Sequence, residues 1–347
     1  MIRALREAGN AVTVLCLTEG EYWQSRIKSL GVTVVHVGRN RSRPVRLFKI
    51  VDAVRRLRPD VIQSSHFYTN FPAAVAGRIL GIPAIGAVRT DGLREVAEPG
   101  KIFGLLNLKT PGLIAGNSEA GLANARTLSV PERRLFFLPN VVDCKEFDVP
   151  ERAARDSVCL LTAGRLVEQK RHDRFLRLLS RLRISVPCDI RGVIAGDGPK
   201  RDELRQQMVH LGLTDADVEL CGVTRDMKSL YNRADVFVLT SDWEGTPNVV
   251  LEAMASGVPV VSTDVGDVRS LVEDGVSGFL VASNDEDGLT ARVTSLVHDP
   301  ALRRLLGQNA RRRVEKKYSL ANLTEYLESL YTRATGPLNP CISRARP

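Results

Sequence analysis

Val236-Phe-Val-Leu-Thr240 runs directly into Ser241-Asp-Trp-Glu-Gly-Thr-Pro-Asn-Val-Val-Leu-Glu-Ala-Met-Ala255. The first five residues are too few and too uniformly apolar for an amphipathic surface helix, so they read as a buried parallel strand. Beyond them, Thr246 is placed to cap a helix and Pro247 suits its first turn. The apolar residues from Val249 onward continue that helix. Glu244 then lies in the loop at the strand's C-terminal end, and Glu252 lies about a turn and a half into the helix. Between them, the free backbone N–H groups of a helix start form an anion site. A loop carboxylate, an anion cradle and a helical carboxylate suit a ligand with a phosphate in the middle and hydroxyls at both ends.

Working outward, short apolar strands alternate with helices along the whole chain. Strands are expected at 11–17, 32–37, 61–63, 84–88, 113–116 and 135–138. A second series is expected at 158–162, 189–195, 218–221, 236–240, 258–262 and 278–281. Helices fall between them, for example at 48–58, 171–183, 201–211 and 287–297. A basic helix (302–317) and a helix at 320–332 with Leu323, Leu327 and Leu330 on one face follow. Repeated β–α units joined by short turns imply α/β architecture with parallel sheets covered on both faces. Two series around a polar joint near 144–152 predict two doubly wound, Rossmann-like domains facing a cleft. The expected organisation is an N-terminal domain over 1–148, a second domain over 149–317, a helix crossing back over 318–333 and a disordered tail over 334–347. The chain opens with a helix, whereas the first strand of such a sheet ordinarily lies in its middle. The first strand of the N-terminal domain is thus expected to be missing, leaving two strands without a central neighbour.

Composition narrows the function classes. The 347 residues suffice for two α/β cores. No apolar stretch reaches spanning length, and Met1 opens into an amphipathic segment with no visible signal peptide. The six cysteines (16, 144, 159, 188, 221, 341) are scattered, which favours a reducing compartment over a disulfide or zinc framework. The net charge of +9 divides as +8 over 1–150, −6 over 151–300 and +7 over 301–347. Its densest run is Arg39, Arg41, Arg43, Arg46, Lys49, Arg55, Arg56 and Arg58, interrupted by Asp52. That run reads either as a solvated helix face or as a contact for anionic lipid headgroups. Nucleic acid is not an expected partner, since no recognition motif accompanies the charge.

Chemistry-bearing residues cluster at expected strand ends. Arg165 and Lys170 follow Gly164 in the loop after 158–162. They read as surface cations or as neutralisers of a diphosphate leaving group. Gly196-Asp-Gly-Pro199 lacks a third glycine and reads as a tight strand-to-helix turn. Gly222 would let a flat ring approach the backbone. Asp215-Ala-Asp217 precedes a strand and reads as a loop turn, not a metal site. None of the five histidines has metal-ligand spacing. His66 sits at a strand end, as a structural residue or a cleft-edge one.

Together these motifs resemble the GT-B glycosyltransferases of family 4 (glycosyltransferase group 1), retaining enzymes that use nucleotide-sugar donors. The resemblance rests on Gly164-Arg-x4-Lys170, Gly196-Asp-Gly-Pro199, Leu230-Tyr-x2-Ala-Asp235 and Glu244-Gly-x-Pro-Asn-Val-x-Leu-Glu-Ala-Met-Ala255. Asn117-Ser-Glu119 and Pro139-Asn-x2-Asp143 add weaker matches. The resemblance implies that Arg165 and Lys170 hold the donor diphosphate and that Glu244 contacts donor sugar hydroxyls; with Glu244, these are the catalytic candidates. It places Glu252 on the ribose hydroxyls, Val223 near the base, and Gly164 and the Gly245, Thr246, Pro247 and Asn248 backbone around the donor. His66 and Arg89 are the acceptor-side candidates, Arg89 standing where many relatives carry a histidine. Relatives also begin with a strand and a glycine-rich loop, and they carry a second glycine and a glutamate where this chain has Asp267 and Ser270.

The expected activity is retaining sugar transfer from a nucleoside diphosphate sugar to an acceptor hydroxyl, in glycolipid, polysaccharide or other cell-envelope glycan synthesis. No metal or other cofactor is expected. The expected partners are the donor, a glycan or lipid-linked acceptor and an anionic membrane surface. The expected location is cytoplasmic, peripheral on the inner face of the plasma membrane. The alternative is a non-catalytic or truncated nucleotide-sugar-binding remnant of the same fold.

Overall fold

A computed structural model describes residues 1–20, 22–38, 42–147 and 157–336. The joint from 148 to 152, Arg39, Arg41, Cys341 and most of the expected tail therefore lie outside the described residues. The chain forms two compact units. One is Met1–Pro139 together with the described residues from Ala321 onward, and the other is Asn140–Leu320.

Among its described residues the second unit contains six parallel strands: β7 (Ser157–Ala163), β8 (Asp189–Ala195), β9 (Val218–Gly222), β10 (Val236–Leu239), β11 (Val260–Thr263) and β12 (Gly278–Val281). Their order is β12-β11-β10-β7-β8-β9. The chain thus builds outward from β7 to β9, returns to the other side of β7, and builds outward again from β10 to β12. The opening pentapeptide forms β10, entirely buried, with its last residue Thr240 already in the loop. Alternate residues feed opposite faces. Val236 and Val238 join the core under the His172–Ser185, Arg201–His210 and Glu286–His298 helices. Phe237 and Leu239 join the core under the Met227–Arg233 and Asn248–Ala255 helices. A strand buried on both faces must be apolar throughout, which is why the run carried so strong a signal.

The first unit contains two separate parallel sheets among its described residues. One pairs β1 (Thr13–Cys16) with β2 (Thr33–His36), and the other has the order β3-β4-β5-β6. Here β3 is Ile62–Gln63, β4 is Ala84–Val88, β5 is Leu113–Gly116 and β6 is Leu135–Phe137. The expected interruption between the first two strands and the rest is what the sheets display. The Leu323–Thr335 helix belongs to this unit; Leu323, Leu327 and Leu330 are buried, and the Tyr331 hydroxyl donates to Gln63 Oε1 at 2.6 Å.

Because β3 spans two residues, β4 outruns it, and beyond Ser64 the edge of β4 has no strand beside it. Asn70, fully buried at the start of the Asn70–Leu80 helix, takes over. Its side-chain amide donates to the Ala87 carbonyl at 2.9 Å, and its Oδ1 accepts from the Ala87 N–H at 2.8 Å. Asn70→Leu strands both backbone groups. It should cost about 2–5 kcal/mol in urea unfolding, from two unsatisfied buried groups. A wild-type midpoint for Asn70→Leu would show that Ala87 is satisfied some other way.

Candidate active site

The reversal of strand order between β7 and β10 creates a switch point, where the loops after these two strands diverge and leave room for a ligand. The β7 loop carries Gly164, Arg165 and Lys170, and the β10 loop carries Glu244. The structure joins the two loops directly. Lys170 Nζ lies 2.5 Å from Glu244 Oε1, with side-chain exposures of 17% and 7%. Ser241 Oγ donates to the same carboxylate oxygen at 2.6 Å. Gln169 donates to the Trp243 carbonyl at 2.7 Å, and the Asp242 N–H donates to the Gln169 carbonyl at 2.9 Å. Arg165, by contrast, is exposed, and its side chain has no ion-pair or hydrogen-bond partner among the described residues.

A second layer holds the two loops still. Asp242 accepts from Arg171 at 3.2 Å and pairs with the buried Arg174 at 2.7 Å. Arg174 also donates to the Thr240 carbonyl, and Arg171 and Arg177 share Asp173. Arg177 continues to Glu286. A charge as buried as Arg174 persists only when paired and hydrogen-bonded, so this network fixes the β10 loop against the His172 helix. Gly266 completes the fit: a Cβ there would lie 2.2 Å from the Glu244 carbonyl oxygen.

The strand ends beside β7 form a shallow floor. The Gly164 N–H donates to the Ala195 carbonyl, and the Gly196 N–H donates to the Gly222 carbonyl. A Cβ on Gly196 would lie 1.9 Å from the Gly164 carbonyl oxygen, so the turn at Gly196-Asp-Gly is a close backbone packing. Val223 follows Gly222 and stands 80% exposed at the rim.

The helix after β10 begins at Asn248, with Pro247 as its N-cap in an extended conformation and no side-chain capping bond there. This corrects the expected start, which had Thr246 capping and Pro247 in the first turn. Thr246 is buried, and its carbonyl accepts from Asn140, which also donates to Asn248 Oδ1 at 2.8 Å. Gly245 is tied down through its carbonyl by the Asp267 N–H. Glu252 accepts from the Tyr231 hydroxyl at 2.9 Å. Burial pushes its carboxyl above the usual range, and the Tyr231 bond partly offsets that.

Sequence reasoning missed Asn140, Gln169, Ser241, Asp242 and the Arg171–Arg174 pair as parts of this site. It had singled out Pro139-Asn and Leu230-Tyr without roles for Asn140 and Tyr231. Asp215-Ala-Asp217 closes a turn, as expected: Asp217 accepts from both Thr214 N and Oγ1, and pairs with Arg183.

The acceptor-side candidates lie in the first unit, at the ends of neighbouring strands β3 and β4. His66 is exposed and stacks on Tyr68. Burial pushes the Arg89 guanidinium below its usual range. Its backbone N–H donates to both carboxylate oxygens of Glu95, at 3.2 and 3.3 Å. Burial dominates at Glu95, and its carboxyl rises to about 7.

A six-stranded doubly wound sheet with a cation–carboxylate pair at its switch point defines the class as a ligand-binding α/β protein. The comparisons then carry the identification further. The family model "Glycosyl transferases group 1" matches residues 145–313, and "Glycosyl transferase 4-like domain" matches 1–140. An uncharacterized glycosyltransferase of Methanocaldococcus jannaschii is 33% identical over 299 residues, covering 78% of this chain and 75% of that protein. The Escherichia coli UDP-Gal:alpha-D-GlcNAc-diphosphoundecaprenol alpha-1,3-galactosyltransferase is 24% identical, covering 82% and 78%. Among solved structures, Anabaena HepE in complex with UDP superposes with a TM-score of 0.84 at 18% identity, covering 95% and 94%. A glycosyltransferase from Rickettsia africae gives 0.81 at 15% identity, covering 96% and 93%. The chain belongs to the glycosyltransferases and has the GT-B fold.

Glu95 sets a pH test. Its folded-state value of about 7 exceeds the ordinary 4.5, so its contribution to stability is complete below 4.5 and is lost as pH rises through 7. Glu95→Gln removes that dependence. Between pH 4.5 and 8, wild type should lose up to about 3 kcal/mol more stability than the variant in parallel urea titrations. Parallel profiles would place the Glu95 carboxyl in water.

Proposed function

We propose that the chain transfers a sugar from a nucleoside diphosphate donor to an acceptor hydroxyl with retention of anomeric configuration. The observation that carries this is the loop pair at the switch point, where Lys170 is locked to Glu244 while Arg165 stays unpaired. The diphosphate sits between Arg165, Lys170 and the backbone of residues 245–248. The base lies over the Gly164–Gly196–Gly222 floor beside Val223, and Glu252 holds the ribose hydroxyls with its position set by Tyr231. Glu244 orients donor sugar hydroxyls. HepE's complex with UDP supports a nucleoside diphosphate as the ligand class. The E. coli relative's name, with a diphosphoundecaprenol acceptor, supports a lipid-linked or glycan acceptor.

In this mechanism the acceptor oxygen attacks the anomeric carbon from the face that the diphosphate leaves. The bond from that carbon to the phosphate oxygen breaks, and the departing phosphate takes the acceptor's proton. The barrier is dominated by negative charge building on the diphosphate. Lys170, held beforehand by Glu244, stabilises that charge with little reorganisation, Arg165 closes on it from the exposed side, and the two do so without a metal ion.

Lys170→Ala should lower kcat by about 10²–10³ and change the donor KM far less, by comparison with loss of one preorganised donor in other acyl or group transfers. The variant also leaves Glu244 buried with only Ser241 beside it, so the kinetics are read alongside a melting curve. Lys170→Ala, Glu244→Gln restores the fold control, since it removes the orphaned charge. Unchanged turnover in a folded Lys170→Ala enzyme would overturn the assignment. Initial rates in EDTA provide an independent test: the account expects them unchanged, and abolition would put a metal in the place given to Arg165 and Lys170. Nucleoside diphosphate binding without turnover on any donor would favour the remnant alternative.

A further inference from the structure

In the first unit the Arg43–Leu57 and Lys101–Lys109 helices both pack against the Asn70–Leu80 helix. Each turns an apolar stripe outward. On the Arg43 helix, Ile50, Ala53 and Val54 are buried, and the opposite side presents Val45 and Phe48, the latter 72% exposed. On the Lys101 helix, Gly104, Asn107 and Leu108 are buried, and Ile102, 76% exposed, and Leu106 face away. Arg43 spans the two helices, with its guanidinium 4.7 Å from the centre of the Phe103 ring.

The two helices that carry this apolar surface are themselves strongly basic, with Glu98 the exposed acid just before Lys101. The Arg43 helix carries Arg43, Arg46, Lys49, Arg55 and Arg56 against the single acid Asp52, which is paired with Arg56. Lys101 and Lys109 stand at the two ends of the other helix, which contains no acid. Exposed bulky side chains with nothing over them cost free energy in water, and two strongly basic helices oppose a second copy of the same face. An anionic bilayer satisfies both: it receives the apolar side chains below the headgroups, and its charge attracts the basic residues. We propose that the outer faces of the Arg43 and Lys101 helices form a docking surface for an anionic lipid bilayer. The inference rests on this surface alone and stands apart from the transferase assignment. No helix among the described residues is long and apolar enough to cross a membrane, so the contact is peripheral.

The test is flotation of the full chain with vesicles of phosphatidylcholine alone and with about one-third phosphatidylglycerol, a content high enough for a strongly negative surface. Wild type should float with the anionic vesicles, and binding should fall steeply between roughly 0.05 and 0.5 M salt, on the scale set by screening. Phe48→Ser, Ile102→Ser should weaken binding at low salt by at least about tenfold. Lys49→Gln, Arg55→Gln should weaken it by about fivefold per charge removed and erase the preference for anionic vesicles. Phe48, Arg55 and Ile102 are exposed and Lys49 is partly exposed, and unchanged circular dichroism and melting confirm the fold. Equal flotation with neutral vesicles, or wild-type flotation by both double variants, would overturn the proposal. So would a wild-type dimer in light scattering that Phe48→Ser, Ile102→Ser makes monomeric without altering flotation.

Discussion

The buried pair of Lys170 and Glu244 is the interaction on which the site depends. Removing both charges from water is costly, and the pair persists only because Ser241 adds a hydrogen bond and neighbouring backbone locks both loops. The pair also connects two segments more than seventy residues apart in sequence, at the one place where the sheet changes direction. Everything nearby follows from keeping that junction rigid. Arg174 and Asp242 brace it from behind, Gly266 lets a backbone pass against it, and Gly164 and Gly196 close the neighbouring strand ends without side chains. A lysine held in advance by a carboxylate is already extended, so in the proposed role as a diphosphate ligand it needs little further ordering.

Local sequence carried the fold well where local physics decides it. β4, β5, β8 and β12 have the expected ends, because each is an apolar run closed by glycine, proline or charge. Boundaries drifted where a cap decides them. The Arg43 helix starts five residues before the expected position, since Pro44 fits a first turn that no apolar periodicity announces. The helix after β10 starts later than Thr246 suggested, because Pro247 takes the N-cap in an extended conformation. The site was legible as motifs but not as contacts. Nothing local in Asp242 or Arg174 reveals that they pair, since their partnership exists only once β10 lies beside β7. Asn140 was likewise visible only as half of a Pro-Asn dipeptide, although it holds the Thr246–Asn248 turn.

The two units divide the chemistry as their charges do. Many cations of the second unit are held in internal pairs, such as Arg177 with Glu286 and Arg233 with Glu219, whereas Arg165 has no ion-pair partner among the described residues. In the first unit the Arg43 helix sets several basic residues beside exposed Phe48, with exposed Ile102 on the neighbouring helix, a pairing of charge and apolar area that a merely solvated helix does not need. Arg89 and Glu95 are the exception there, a cation and a carboxyl both perturbed by burial at the end of β4.

The central claim is that Arg165 and Lys170 exist to hold a diphosphate. Calorimetric titration with UDP and with uridine, on wild type and on Arg165→Ala and Lys170→Ala, tests it most directly, because uridine keeps the base and ribose and lacks the diphosphate. The account predicts that each substitution weakens UDP binding by about tenfold or more, as expected for loss of a charge-assisted contact, and leaves uridine binding unchanged. Equal losses for the two ligands, or UDP affinity retained in both variants, would contradict it.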